Sequence, residues 1–218
     1  MFILTVLRDI VRVHPADLIL PRAEAISNEI NKKFANKVLH NVGLCIRVLD
    51  LIEVTDGVVH ACQDGSYMSK GVDYMTLCFL PFLGEVLTGR VASSTPNGIR
   101  VTMDFFDDIV IPSDWVKEGS VFNSDEGVWV WKYDDGSENP AELFMDKGET
   151  IRFRVETENF EDIGPIKTKV LPSGDISTED ILVPYTLTCS IFEDGLGLVD
   201  WWRENIEEEE VDNMEEEQ

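Results

Sequence analysis

A group of acids at residues 104–108 holds the side chains that could most readily do chemistry. Asp104, Asp107 and Asp108 lie close enough in sequence to hold a magnesium ion, as the carboxylates of a nuclease do. They also lie between two predicted strands, where adjacent acids form solvated turns. The chain has no phosphate-binding loop, dinucleotide-binding glycine motif, zinc-protease motif or serine-hydrolase elbow. We therefore expect no catalytic residue and no cofactor.

The cysteines and histidines do not show metal-ligand spacing. His60 and Cys62 lie close together, but no C-x-x-C motif or second ligand pair occurs with them. Cys45, Cys78 and Cys189 each lie in an apolar stretch, which is typical of small buried side chains in a reducing compartment. We expect no bound metal.

An aromatic strand predicted near residue 130 is the first candidate RNA-binding feature. Its alternation separates the aromatic residues from the valines, with Trp129, Trp131 and Tyr133 on one face and Val128 and Val130 on the other. If the valines face the core, the aromatic rings form an outer platform, with Lys132 beside it, that could stack bases or dock a protein. In the alternative interpretation, the tryptophans fill the core or a domain junction.

A set of arginines is the second candidate feature. The strand predicted at residues 150–157 has two distinct faces, with Ile151, Phe153 and Val155 on one and Arg152, Arg154 and Glu156 on the other. Because the apolar face is expected to point inward, Arg152 and Arg154 must reach the surface. Arg90 and Arg100 could join them from neighbouring strands. Such a group could contact phosphates, or each arginine could pair with a nearby acid.

The elements expected at residues 1–80 form an α+β domain, with one helix on a small antiparallel sheet. Residues 2–13 are rich in aliphatic residues and end at a His-Pro pair, which predicts a strand and then a turn. Pro21 marks the start of a helix, and apolar residues recur every four positions from Ile26 to Phe34. Further strand-like runs follow at residues 42–54, 57–60 and 72–83.

Residues 81–203 are predicted to form an all-β barrel. Short strand-like runs alternate with turns at residues 85–92, 99–103, 108–111, 127–133, 150–157 and 185–192. Several short strands without a long helix between them favour a small closed sheet, for which the oligonucleotide-binding (OB), S1-like barrel is the leading candidate. Residues 159–184 predict a mobile insertion, and residues 204–218 predict a disordered acidic tail.

The net charge of −24 limits the possible partners. Nine acids and no base lie in residues 204–218, and the remainder still has 33 acids against 18 bases. Such a body cannot hold duplex DNA by bulk attraction, so any RNA contact must be local, weak or aided by an assembly. The sequence has neither an apolar run long enough for a bilayer nor a basic leader, so we expect an intracellular chain with no membrane contact.

Eight motifs follow one another along residues 1–203. In the first domain and at its end these are NKKFANKV at 31–38, NVGLCI at 41–46 and PFLGEVL at 81–87. In the barrel they are FFDDIVIP at 105–112, VWVW at 128–131 and FMDKGETIRFRV at 144–155. The last two are PYTL at 184–187 and GLGLVDWW at 195–202. In this order they resemble the polymerase stalk family, the larger stalk subunits of archaeal and eukaryotic DNA-directed RNA polymerases. The last two resemble the eukaryotic RNA polymerase III version.

The resemblance implies a tip domain followed by an OB barrel, paired with a smaller helical stalk subunit and attached to the RNA polymerase III core. It implies a non-catalytic nuclear protein that supports initiation, meets initiation factors and weakly contacts nascent single-stranded RNA through the barrel. The polymerase II counterpart ends soon after the barrel. The assignment to polymerase III therefore depends on the insertion and on the Trp201-Trp202 ending.

Two other functions stay open at this point. An independent OB-fold single-stranded RNA-binding protein would bind RNA tightly by itself and with a steep salt dependence. A magnesium nuclease centred on Asp104, Asp107 and Asp108 would degrade RNA when magnesium is supplied. The stalk interpretation instead predicts weak RNA binding by the isolated chain.

Overall fold

The computed structural model describes residues 1–59, 65–133, 141–161 and 183–202, together with the backbone of two short strands at 169–170 and 176–177. The chain divides into two compact units, Met1–Pro81 and Phe82–Gln218. We call them the N-terminal unit and the C-terminal unit and describe each by itself.

The N-terminal unit is an antiparallel sheet with one α-helix. Its elements are β1 (Phe2–Val13), a 3-10 helix (Pro15–Ile19), α1 (Arg22–Phe34), β2 (Lys37–Leu39), β3 (Gly43–Val54), β4 (Gly57–Val59) and β5 (Tyr67–Phe79). The strands are ordered β1-β5-β3-β2, and β4 also pairs with β5. The predicted combination of one helix and a small antiparallel sheet is confirmed.

The core of the N-terminal unit lies between α1 and one face of the sheet. Ile26 and Ile30, one helical turn apart on α1, are fully buried against residues of β1, β3 and β5. Phe34 continues the stripe and stacks on Tyr74 of β5, with the ring centroids 6.3 Å apart. The helix begins directly after Pro21 and ends at Phe34. Ala35 is its C-terminal cap, and the next residue, Asn36, has a positive φ of 58°.

The opposite face of this sheet carries an exposed apolar strip. Leu4 and Val6 of β1 lie directly opposite Leu77 and Met75 of β5, so the four side chains share one face. Leu4 is 58% exposed and Val6 57%. On β3 the register places the exposed Arg47 opposite Leu77 and the exposed Asp50 opposite Met75, so charged residues border the apolar strip. We call the strip of Leu4, Val6, Met75 and Leu77 the outer sheet face.

The C-terminal unit is built from short strands. Its elements are β6 (Val86–Thr95), β7 (Gly98–Thr102), β8 (Ile109–Pro112), a 3-10 helix (Ser113–Trp115), β9 (Ser120–Asn123), β10 (Val128–Tyr133), β11 (Ala141–Met145), β12 (Thr150–Phe160), β13 (Lys169–Val170), β14 (Ile176–Ser177), β15 (Tyr185–Ser190), β16 (Gly197–Leu198) and a 3-10 helix (Val199–Trp202). β9, β10 and β11 form a separate three-stranded sheet with β10 in its centre.

Five strands close into an OB-like barrel. They are ordered β15-β8-β7-β6-β12, and pairing between β12 and β15 closes the ring. Ile151, Phe153 and Val155 of β12 are fully buried, as are Leu187 and Cys189 of β15. The predicted barrel and the predicted inward faces of both strands are confirmed.

Three of the four cysteines are buried free thiols, as their apolar neighbours predict. Cys45 and Cys78 lie directly opposite on β3 and β5, with their Sγ atoms 3.6 Å apart. Burial raises the pKa of the Cys45 thiol to about 12, and it likewise raises that of Cys189 to about 12. Such thiols stay protonated and unreactive at neutral pH.

Several predictions concern residues outside the described part of the chain. These are the pair His60 and Cys62, most of the insertion at 159–184 and the acidic tail at 204–218. Within the described ranges, no helix is long and apolar enough to cross a membrane.

Candidate nucleic-acid interface

The four arginines proposed for RNA binding lie on the outward face of three adjacent barrel strands. Arg152 and Arg154 alternate with the buried residues of β12, so their side chains point away from the core. Arg90 of β6 lies opposite Thr150 of β12, and its strand also pairs with β7, which carries the exposed Arg100. The strand register therefore brings the four residues to one side of the barrel.

Two of these arginines donate hydrogen bonds to acidic or carbonyl oxygens, and a third forms an ion pair. Arg154 donates to the carboxylate of Glu193, and Arg152 donates to the carbonyl oxygen of Gly195 at 3.3 Å. Arg90 lies 3.5 Å from Asp104 across an exposed ion pair. These three arginines therefore face outward and are also paired with oxygen atoms of the protein. The pairing with acids lowers the positive electrostatic potential that an RNA phosphate would meet.

The acids at residues 104–108 act as turn residues. Asp104 pairs with Arg90 and has a φ of 66°, while Asp107 accepts a hydrogen bond from Thr102 Oγ1. Burial raises the pKa of Asp108, and its backbone carbonyl accepts from Leu187. No group of three metal-binding side chains occurs among the residues that the structure describes.

The prediction of an exposed aromatic platform on β10 is wrong for both tryptophans, because their side chains are buried. Trp129 is 6% exposed and Trp131 8%, and their indole N–H groups donate to the carbonyl oxygens of Thr95 and Glu118. Val130 on the other face is also buried, at 5%. As the central strand of its sheet, β10 has neighbours on both edges, and the tryptophans fill the interior of the unit as in the alternative interpretation.

Only the end of β10 is available at the surface. Tyr133 is 47% exposed and packs edge-on against Trp131, with the ring centroids 5.2 Å apart. Lys132 pairs with Glu142 of β11 at 3.3 Å, and both side chains are about half exposed. These two residues could still meet RNA, whereas the tryptophans could do so only after the sheet moved.

A buried lysine, absent from the sequence predictions, connects β10 to the end of the described chain. The Lys117 side chain is 5% exposed, and its Nζ lies 4.7 Å from the Trp131 ring centroid and 4.6 Å from that of Trp202. The ammonium also donates to the carbonyl of Glu193 at 3.3 Å and to Asp194 at 3.0 Å. Trp202 of the Trp201-Trp202 ending thus packs on a buried cation, while Trp201 packs on Trp131 with the ring centroids 5.2 Å apart.

We predict that Lys117→Met destabilises the C-terminal unit by about 2 kcal/mol, because methionine fills the space but loses both ring interactions and the hydrogen bonds. All five tryptophans lie in this unit, so urea unfolding followed by tryptophan fluorescence reports on it alone. The exposed Lys147→Met is the matched control. Equal midpoints for the two variants would show that the Lys117 cation contributes nothing.

Comparison with known proteins gives a consistent result over both units. A family model described as RNA polymerase III subunit Rpc25 matches residues 85–202. A second, described as the SHS2 domain found in the N terminus of Rpb7p, Rpc25p and MJ0397, matches residues 8–65. The first match includes the barrel and the Trp201-Trp202 ending.

Relatives that this chain covers along their whole length are also named as subunits of RNA polymerase III. The chain is 43% identical over 207 residues to DNA-directed RNA polymerase III subunit rpc8 of Schizosaccharomyces pombe, covering 93% of this chain and 100% of that protein. It is 36% identical over 217 residues to subunit RPC8 of Saccharomyces cerevisiae, with the same coverage. The archaeal subunit Rpo7 of Saccharolobus solfataricus is 24% identical over 148 residues, or 68% of this chain. The chain therefore belongs to the Rpc25 family of RNA polymerase III subunits, as the motifs predict.

Proposed function

We propose that this chain is the larger half of the RNA polymerase III stalk, a non-catalytic nuclear subunit that pairs with a smaller helical subunit and contacts nascent RNA. The observation that carries the RNA part is the group of four outward arginines on β12, β6 and β7 of an otherwise acidic protein. Arginine side chains are well suited to phosphate, and a single strand following the barrel surface would meet several of them.

The charge balance favours an assembly-dependent role over an independent RNA-binding protein. A net charge of −24 repels RNA at long range, and acids or carbonyls already engage three of the four arginines. Binding by the isolated chain should therefore be weak. In the polymerase, RNA leaving the enzyme would be held near the barrel at high effective concentration, so a weak local contact would suffice.

The outer sheet face supports the pairing with a second subunit. It presents Leu4 and Val6, both more than half exposed, beside Met75 and Leu77, with the charged Arg47 and Asp50 at its border on β3. An apolar centre with a charged border is typical of protein interfaces. Burying it against a helical partner would stabilise the complex by the hydrophobic effect. Contacts with the polymerase core and with initiation factors would then build on this heterodimer.

Recovery of the tagged chain from nuclear extract tests the proposal as a whole. We expect the smaller stalk subunit and the RNA polymerase III core to be recovered together with it. Depletion of the chain should lower initiation in extract, and adding the purified heterodimer should restore it. A chain recovered without any polymerase subunit would contradict the stalk assignment.

We predict that Arg152→Glu combined with Arg154→Glu reduces crosslinking to nascent RNA by about tenfold or more, because two favourable phosphate contacts become repulsive. Binding of the smaller subunit should be unchanged, since it depends on the other unit. The matched control reverses two exposed lysines of α1, Lys32→Glu with Lys33→Glu. Equal crosslinking in both double variants would remove the barrel arginines from the RNA contact.

A further inference from the structure

A tight turn at Glu193–Leu196 covers the two arginines of β12. We call it the cover turn. It is closed by a hydrogen bond from the Leu196 amide to the Glu193 carbonyl at 3.3 Å, with Gly195 at a φ of +80°. Arg154 donates to the Glu193 carboxylate, and Arg152 donates to the Gly195 carbonyl at 3.3 Å. Both guanidinium groups are thus bound to oxygen atoms of the protein itself.

The cover turn is also held by two residues outside β12, Lys117 and Trp202. Lys117 Nζ donates to the Glu193 carbonyl at 3.3 Å and to the Asp194 carboxylate at 3.0 Å. Trp202 Nε1 donates to the Leu196 carbonyl at 3.2 Å. These bonds fix the backbone of the turn, so the Glu193 carboxylate is presented to Arg154 by a rigid support.

The Glu193 side chain lies at the protein surface. Its side chain is 51% exposed, whereas that of Arg154 beneath it is 31% exposed. Among the described residues, the buried Arg154 Nε has no hydrogen-bond partner. Rotation of the Glu193 side chain would therefore open Arg154 to solvent without disturbing the barrel core or the backbone bonds of the turn.

A carboxylate and a phosphate offer arginine the same chemistry, since both are anions whose oxygen atoms accept hydrogen bonds from the guanidinium fork. We propose that the cover turn is an autoinhibitory contact in which Glu193 occupies the place of an RNA phosphate on Arg154. RNA binds at this site by displacing the carboxylate. This inference rests on the proposed RNA contact of the barrel, and it explains how an outward arginine group can coexist with weak binding by the isolated chain.

The test is Glu193→Gln in the full-length chain, with a fluorescein-labelled oligouridine as the probe and fluorescence anisotropy as the measurement. Glutamine keeps the size of the side chain and the backbone bonds of the turn but removes the competing charge. We expect oligouridine to bind about threefold to fivefold more tightly, the size of an exposed ion pair. The slope of log affinity against log salt should stay close to that of the wild type, because both complexes make the same phosphate contacts.

Two further variants separate the possible results. Glu29→Gln on α1 makes the same charge change at the ion pair with Lys32, away from the barrel strands, and should leave binding unchanged. Arg152→Gln with Arg154→Gln should weaken binding. If the arginine variant weakens binding but Glu193→Gln has no effect, the autoinhibitory role of the cover turn is refuted and the RNA contact of the barrel stands. If the arginine variant binds as well as the wild type, the RNA contact and the cover both fail. Equal gains from Glu193→Gln and Glu29→Gln would show a general charge effect and refute the cover.

Discussion

Replacing Leu4 and Val6 with glutamate should weaken binding of the smaller stalk subunit at least a hundredfold, while the N-terminal unit stays folded. Both side chains are more than half exposed on the outer sheet face, so the substitution removes little from the core of the isolated chain. In the proposed complex the same positions are covered. Two carboxylates would then be buried without partners, which costs well beyond the roughly 2.7 kcal/mol that a hundredfold change represents.

Calorimetric titration of the smaller subunit into the purified chain measures this effect, and circular dichroism checks the fold. The matched control is Leu18→Glu with Ile19→Glu, which adds the same charge to two exposed apolar residues outside the sheet, at 49% and 91% exposure. We expect the control pair to bind normally. Equal loss of binding in both pairs would place the interface elsewhere or show that added negative charge alone prevents association.

The barrel was predictable because a closed sheet has only one buried face. Over Ile151–Val155 of β12 and Tyr185–Cys189 of β15 every second residue points into the barrel and is fully buried, so these segments alternate cleanly between inward and outward residues. The apolar stripe from Ile26 to Phe34 on α1 could be predicted for the same reason, since the helix contacts the sheet along one side only.

The same reasoning failed on β10 because both of its faces are buried. Trp129, Val130 and Trp131 are all less than a tenth exposed, so alternation could not show which face met the solvent. The strands that pair with the two edges of β10, β9 and β11, are also short and were not predicted. With only five residues in β11 and four in β9, their periodicity is too brief to separate them from loops.

No feature of the sequence indicated that Lys117 is buried between the rings of Trp131 and Trp202. A lysine followed by Glu118 and Gly119 is typical of an exposed turn, and its burial depends on rings that lie on another strand and at the end of the described chain. Long-range contacts of this kind cannot be inferred from local spacing. The same limit applies to Glu193, whose pairing with Arg154 joins residues far apart in sequence.

Phe153→Ala should destabilise the C-terminal unit by about 4 kcal/mol, within the range measured for removal of a fully buried phenylalanine ring. The Phe153 ring is fully buried in the barrel, and Phe153 lies opposite Leu87 in the pairing of β12 with β6. Gly89 leaves room for it, because a Cβ at that position would lie 3.2 Å from the ring. β12 is also paired with β15 and β16, so the closed ring of strands cannot collapse into the cavity that alanine leaves.

Urea unfolding followed by tryptophan fluorescence measures the loss in the C-terminal unit, which contains all five tryptophans. The control is Phe82→Ala in the same unit, where the ring is 65% exposed and its removal should cost less than about 1 kcal/mol. Similar midpoints for the two variants would show that the barrel interior tolerates a cavity, which a close-packed closed sheet should not. A large loss of unfolding free energy for Phe153→Ala, with little for Phe82→Ala, would show that the interior of the barrel stabilises the unit. The barrel is the scaffold that holds the outward arginines in place.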